Sequence, residues 1–348
     1  MEPLKPFQDL RPGKFETTWK SPANIAFVKY WGKVGPQIPA NPSLSMTLKE
    51  CYSQTKVAFE ESDSLAVELF LAGSREDRFA SKIKTYLETL SSSMPWLLKV
   101  SIKIETSNTF PHGAGIASSA SGLSAFALCL TEYLYFLSDL PRDGEFLSTA
   151  SHLSRLASGS ACRSVYGGFA SWGKSDLAES SDLHATPFEV HPELTHLMDT
   201  ILVISDQEKN ISSRKGHDRM REHPFAAARF EQAKKNFSTL VHALKCGEWD
   251  QVGGILETEA LSLHSMMMTS PQSYTLLKPN SLLAMELIRD FREQTKLPVY
   301  FTLDAGPNLH LIYPESLKNK VHPFITHELA SICIKVIADS VGAGPVRC

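Results

Sequence analysis

Pro111-His112-Gly113-Ala114-Gly115-Ile116-Ala117-Ser118-Ser119-Ala120-Ser121-Gly122 joins an alternating run, Val100, Ile102 and Ile104, to an apolar one reaching about Leu137. The change of period predicts a strand, a glycine turn and a buried helix. Gly113 and Gly115 have no Cβ, so a ligand can come close to the backbone there. The helix start that follows leaves N–H groups unpaired and aims the positive end of its dipole at one spot, where a phosphate oxygen can be held. Ser118, Ser119 and Ser121 add hydroxyl donors. By itself such a Gly/Ser segment is more often a plain turn. It has neither the GK[ST] ending of a Walker loop nor the spacing of a Rossmann GxGxxG.

Working outward, period two recurs on the N-terminal side, predicting strands at Thr17 to Tyr30, Ser43 to Leu48, Thr55 to Phe59 and Leu65 to Leu71. Helical spacing appears at Arg75 to Leu90, Asp143 to Ala157, and about 225 to 245, 249 to 268 and 281 to 295. Further strands are expected at Phe169 to Trp172, Thr200 to Ile204, Val299 to Leu303, Leu309 to Tyr313 and Ile332 to Ile337, with a polar loop at Asn210 to Gly216. Residues 1 to 14 read as a polar arm whose order depends on what it docks against. A chain of 348 residues with 43% hydrophobic and 21% charged residues has room for two globular domains. Its net charge of −3 offers no polybasic field for nucleic acid or a membrane surface, so an anionic ligand must be held locally. Six cysteines without a CxxC pair or zinc spacing point to reduced thiols and a cytoplasmic location. Met1 to Phe15 lacks the apolar core of a signal peptide, and Gly113 to Thr131 suits a buried helix better than a membrane span.

Four polar clusters carry possible chemistry, each with a plainer alternative. Lys29 and Lys33 could balance a phosphorylated substrate or simply snorkel from a strand end. Arg163 could grip a carboxylate or phosphate with its planar fork, or tie loop carbonyls together. Asp304 could be a general base at a strand end, or cap its own DAGPN turn. Ser212-Ser213-Arg214 could close over phosphates or be a solvated loop.

Taken in order, these segments resemble the GHMP kinase superfamily and, within it, the mevalonate diphosphate decarboxylases. The resemblance is carried by Asn24-Ile25-Ala26-Phe27-Val28-Lys29-Tyr30-Trp31-Gly32-Lys33, Asn41 to Leu48, Asn108 to Ser121, Ser158-Gly159-Ser160-Ala161-Cys162-Arg163-Ser164 with Gly167-Gly168, Ser212-Ser213, and Thr302 to Asn308. His112-Gly113 and the segment His217 to Phe225 depart from the family pattern. The resemblance implies an α+β protein of two-layer α/β sandwiches: a ribosomal-protein-S5-domain-2-like ATP-binding domain over 1-188 and a ferredoxin-like GHMP domain over 189-348. It implies ATP-dependent phosphorylation of the 3-hydroxyl of mevalonate 5-diphosphate, followed by loss of CO₂ and phosphate to give isopentenyl diphosphate. Catalysis would then fall to Asp304, Arg163 and Lys29, and substrate binding to Asn24, Tyr30, Lys33, Ser160 and Ser213. ATP would lie on Pro111, Gly113, Ala114, Gly115, Ala117, Ser118 and Ser119. Mg²⁺ is implied with the ATP; no metal motif is readable, and Ser118 or Ser119 are the candidates beside it. A homodimer is expected from family habit. The alternatives are an enzyme acting on mevalonate 5-phosphate, a mevalonate kinase, and an inactive sensor of ATP or an isoprenoid.

Overall fold

Two antiparallel-rich sheets meet across a shared core in the computed structural model, which describes residues 2–111, 118–207 and 211–348. The first is built on two long strands, β1 (Phe15–Val28) and β2 (Ser43–Glu61). β3 (Ala66–Leu71), β4 (Ser74–Arg75), α1 (Asp77–Leu90), β5 (Val100–Asn108), α2 (Ser118–Leu137) and α3 (Gly144–Ala157) follow, then β6 (Phe169–Trp172) and β7 (Thr186–Phe188). The second sheet uses β8 (Leu197–Val203). Behind it come α4 (Ser213–Arg219), α5 (Ala226–Cys246), α6 (Trp249–Met268) and α7 (Pro279–Thr295). β9 (Tyr300–Thr302), β10 (Leu309–Pro314), α8 (Lys318–Phe324), β11 (Lys335–Ser340) and β12 (Val346–Arg347) complete the order. Strands run β12-β1-β2-β5-β3-β4 in the first sheet, with β6 on β2 and β7 on β6, and β11-β8-β10-β9 in the second. Helices and sheets are mixed as an α+β protein requires, and β7 ends at Phe188 on the first sheet.

The pattern of burial explains how the sheets join. Trp19, Val57, Phe59, Ile102 and Ile104 face Phe126, Leu130, Tyr133 and Leu134 of α2, so these stretches keep their alternation. From Ser21 to Val28 alternation stops, because Ile25, Phe27, Met46 and Leu48 are also covered by Phe237 and Leu240 of α5 and Val252 and Leu256 of α6. That doubly covered end of β1 carries the candidate site. α2 is long and apolar enough to cross a membrane, but 78% of its apolar window is buried in this fold.

Three expectations change, and one strand is new. Ser43 to Leu48 and Thr55 to Phe59 belong to one strand, β2, interrupted where Lys49, Glu50 and Cys51 bulge out of register with β1. Asp339 of β11 accepts all three of their N–H groups, at 2.8, 2.9 and 2.8 Å, which satisfies the bulge from the other sheet. The expected loop at Asn210 to Gly216 contains the start of α4, whose first turn is capped by Ser212 accepting from Lys215 N; Asn210 lies outside the described residues. The arm before residue 14 is a short 3₁₀ turn that docks by burying Leu4 and Phe7. Finally, β12 returns to β1, pairing Arg347 with Trp19.

Candidate active site

Lys29 follows the last residue of β1, where both faces of the sheet are covered, and its side chain is 2% exposed. Nζ donates to Asp304 Oδ1 at 2.9 Å and to Ala26 O at 2.6 Å. Its backbone is fixed too: Lys29 N donates to Glu259 Oε2 at 2.9 Å, and its carbonyl accepts from Asn41 Nδ2 at 3.0 Å. Burial pulls the Lys29 ammonium below its ordinary value, opposed by Asp304 and more weakly by Glu259.

Asp304 lies in the turn between β9 and β10, its side chain 27% exposed. Burial disfavours its charge, but Lys29, through charge and hydrogen bond, with His310 and Arg163 adding less, holds the carboxyl below the usual carboxylate range. It is therefore an ionised acceptor with one fixed oxygen. His264 of α6 contacts the Asp304 carbonyl at 3.1 Å through Nε2, tying the turn to a helix of the second layer.

Arg163 is buried in the 3₁₀ turn Gly159–Val165. Nε donates to Ser45 Oγ at 2.9 Å, Nη1 to Ser43 Oγ at 2.6 Å and Nη2 to Asn24 Oδ1 at 3.4 Å. A guanidinium has five N–H donors. Among the described residues three of these donate to Ser45, Ser43 and Asn24, so the guanidinium keeps donor capacity for a carboxylate. Asn24 is turned to present its oxygen because its Nδ2 donates to Ser164 Oγ at 2.8 Å and Ser160 O at 3.3 Å.

The remaining sequence candidates fall in two groups. Tyr30 lies between Trp172, which it meets edge to face at 4.7 Å, and His217, tilted at 4.3 Å, and Lys33 is lowered in pKa by burial and then by Arg214 of α4. This brings α4, and with it the exposed Ser213, beside the turn after Lys29. Ser118 and Ser119 are the first residues of α2, and Pro111 is half-buried after β5. Gly113, Ala114, Gly115 and Ala117, with His112, lie outside the described residues. A ladder of hydroxyls links α2 to the Arg163 turn: Ser124 Oγ meets Ser21 Oγ at 2.5 Å, and Ser21 Oγ donates to Ser164 O at 3.1 Å. No direct contact joins Ser118 or Ser119 to Lys29, Asp304 or Arg163 among the described residues. Among the described residues the first turn of α2 carries no acidic side chain to oppose its positive end, which fits the phosphates of a magnesium-bound nucleotide.

Sequence reasoning missed the supports. Glu259 is wholly buried on α6, where Arg229 of α5 grips it at 3.1 and 2.6 Å and Asn236 Nδ2 donates at 2.7 Å. Arg229 and Asn236 stand seven residues apart on one helix face, and Glu259 interrupts an apolar face of α6; those buried charges were the available signal. Ser43 and Ser45 alternate with Leu44 and Met46 and were readable as the polar face of β2.

Residues 21–183 match the diphosphomevalonate decarboxylase-like N-terminal domain, and residues 200–340 the mevalonate 5-diphosphate decarboxylase C-terminal domain. The chain is 29% identical to the diphosphomevalonate decarboxylase of Candida albicans, over 93% of this chain and 96% of that one. It is 30% identical to the diphosphomevalonate decarboxylase of Ganoderma lucidum, over 86% and 79%. Among solved structures it is similar to MDDEF in complex with MVAPP, AMPPCP and magnesium, with 30% identity and a TM-score of 0.84 over 97% of this chain and 99% of that one. Mevalonate diphosphate decarboxylase from Staphylococcus aureus gives 28% identity and a TM-score of 0.83, over 96% and 98%.

Proposed function

The chain belongs to the diphosphomevalonate decarboxylase family, and on that premise we propose that Asp304, Lys29 and Arg163 perform its chemistry. The reaction is the ATP-dependent decarboxylation of mevalonate 5-diphosphate to isopentenyl diphosphate, CO₂, ADP and phosphate. The observation that carries the assignment is an ionised Asp304, pinned by Lys29 at 2.9 Å, within electrostatic reach of a buried Arg163.

Asp304 accepts the hydrogen bond of the tertiary 3-hydroxyl and turns its lone pair toward the phosphoryl group. With its basicity lowered, the carboxylate orients the hydroxyl first and receives the proton as the oxygen is phosphorylated. Lys29 keeps Asp304 charged and in one rotamer. Arg163 holds the substrate carboxylate so that the bond to be broken keeps a fixed direction. The electrons of the carboxyl carbon–C2 bond then form the C2–C3 double bond, while the C3–O pair leaves with phosphate. Magnesium bound with ATP supplies charge neutralisation at the phosphates, and Ser118 or Ser119 would hold that end. Pro111 and the loop Gly113, Ala114, Gly115 and Ala117 complete this assignment for ATP. Asn24, Tyr30, Lys33, Ser160 and Ser213 bind the substrate, the positive charges of Lys33 and Arg214 serving its diphosphate.

The test is to supply the purified protein with ATP and Mg²⁺ and either mevalonate 5-diphosphate or the monophosphate, following ADP and CO₂ separately. Matched ADP and CO₂ from the diphosphate is the expected result. ADP alone would make the protein a kinase, and neither product a sensor. We assign the cytoplasm as its location, supported by free cysteines at 51, 129, 162, 246, 333 and 348, and a homodimer working without membrane or nucleic acid. Light scattering in solution checks the dimer against the mass of one 38.5 kDa chain.

A further inference from the structure

The segment His217 to Phe225 departs from the family pattern, and His217 touches the site. It is 7% exposed, and its ring lies 4.3 Å from that of Tyr30 and 4.7 Å from that of Trp31. Nδ1 accepts the N–H of Gly32 at 3.0 Å, which places the ring proton on Nε2. Burial, then the charge of Lys33, pulls its pKa down to about 3, so the acceptor persists throughout the neutral range.

Gly32 needs that acceptor. Its φ of +118° is open to glycine, and a Cβ there would meet the Phe230 ring at 2.6 Å. The turn is therefore closed in from the Phe230 side, and a buried N–H in it must find a partner. α4 itself has a firm base. Gly216 is pressed against Trp31 and the Tyr274 hydroxyl, while Arg219 lies over the Tyr274 ring and donates to Gln272 O at 2.6 Å.

We propose that His217 is a positioning residue: as a neutral acceptor fixed to α4, it locks the turn Tyr30-Trp31-Gly32-Lys33 in the shape that presents Tyr30 and Lys33 to the phosphorylated end of the substrate. This rests on the assignment of Tyr30 and Lys33 to substrate binding. The lock acts through the backbone of Gly32, so its loss weakens substrate binding while leaving Asp304, Lys29 and Arg163 in place.

The test compares H217F and H217L, which keep apolar packing without an acceptor, with H217N, whose Oδ1 stands on Cγ as Nδ1 does. Expected is a rise of about tenfold in KM for mevalonate 5-diphosphate in H217F and H217L, the scale of one buried N–H left unsatisfied. kcat should stay within about twofold and KM for ATP unchanged, as for lost uniform binding, with H217N restoring the parental KM. Parental KM in both apolar variants would overturn the proposal. So would a fall in kcat or melting temperature without a change in KM, or an H217N as impaired as H217L. Y30F and K33M are measured alongside. If neither raises KM for the substrate, the underlying assignment fails. If they do and H217F does not, only the role of His217 fails.

Discussion

Lys29 and Asp304 are coupled, so each predicts what happens to the other. In K29M the cation is gone and burial remains, which favours the neutral acid; the pKa of Asp304 therefore rises, and the acid limb of kcat/KM moves to higher pH. K29R should leave the limb nearer its original place, and a pH profile of the three proteins decides. The same sign governs stability. A carboxyl depressed on folding stabilises the fold above its unfolded pKa, and that contribution is lost as pH falls through the lower folded value. D304N keeps the shape of the turn and loses the charge, and should cost ~10²–10⁴-fold in rate with both products falling together. Of these residues, Asp304, Lys29 and Arg163 stand out in the sequence as polar clusters, and only the family resemblance gives them roles. Glu259 and His264 were harder to place: a charge interrupting an apolar helix face marks burial, but nothing local says that it supports a site.

At the scale of elements, the apolar layer of α5 and α6 against β1 encloses a buried ion pair. Removing Glu259 alone leaves Arg229 charged in the core and Lys29 N without its acceptor, so E259A should lose about 3–5 kcal/mol in chemical denaturation. E259L with R229L removes both charges and should recover most of that loss while still disturbing Lys29, so stability and kcat separate in this pair of proteins. Gly253 lets α6 approach β9, since a Cβ there would lie 2.1 Å from the Tyr300 ring, and G253A should lower the urea midpoint. The long helices were readable from their 3.6-residue periods. α4 was not: Ser-Arg-Lys-Gly-His-Asp-Arg has no apolar stripe, and its buried face consists of Gly216 and His217 resting on aromatic rings. β2 reads in the sequence as two strands because the polar bulge at Lys49 and Glu50 resembles a turn, its acceptor Asp339 lying far along the chain.

The whole molecule is held at points where distant segments meet. D339A would strip three N–H groups of their acceptor at once, and should cost on the order of 3 kcal/mol, read as a fall in melting temperature with little change in KM. Because the site is shared by both sheets, ligands that bind only the folded form should raise the melting temperature in proportion to log concentration; ATP and substrate together should do so more than either alone. The general architecture was legible from the succession of strand and helix periods. The return of β12 was not, because two residues, Val346 and Arg347, carry no periodicity and their position is decided by a partner elsewhere.

That partner is Glu132, a buried carboxylate of α2 that accepts from Thr17 Oγ1 at 2.5 Å and Trp19 Nε1 at 2.6 Å and pairs with Arg142 and, at 2.7 Å, with Arg347. During synthesis the first sheet and its helices emerge long before Arg347 does. Until then, the edge of β1 at Trp19 and Lys20 has no strand beside it and Glu132 lacks one of its cations. The edge of β1 is therefore closed by one of the most non-local contacts in the fold, the kind whose loop-closure cost slows folding.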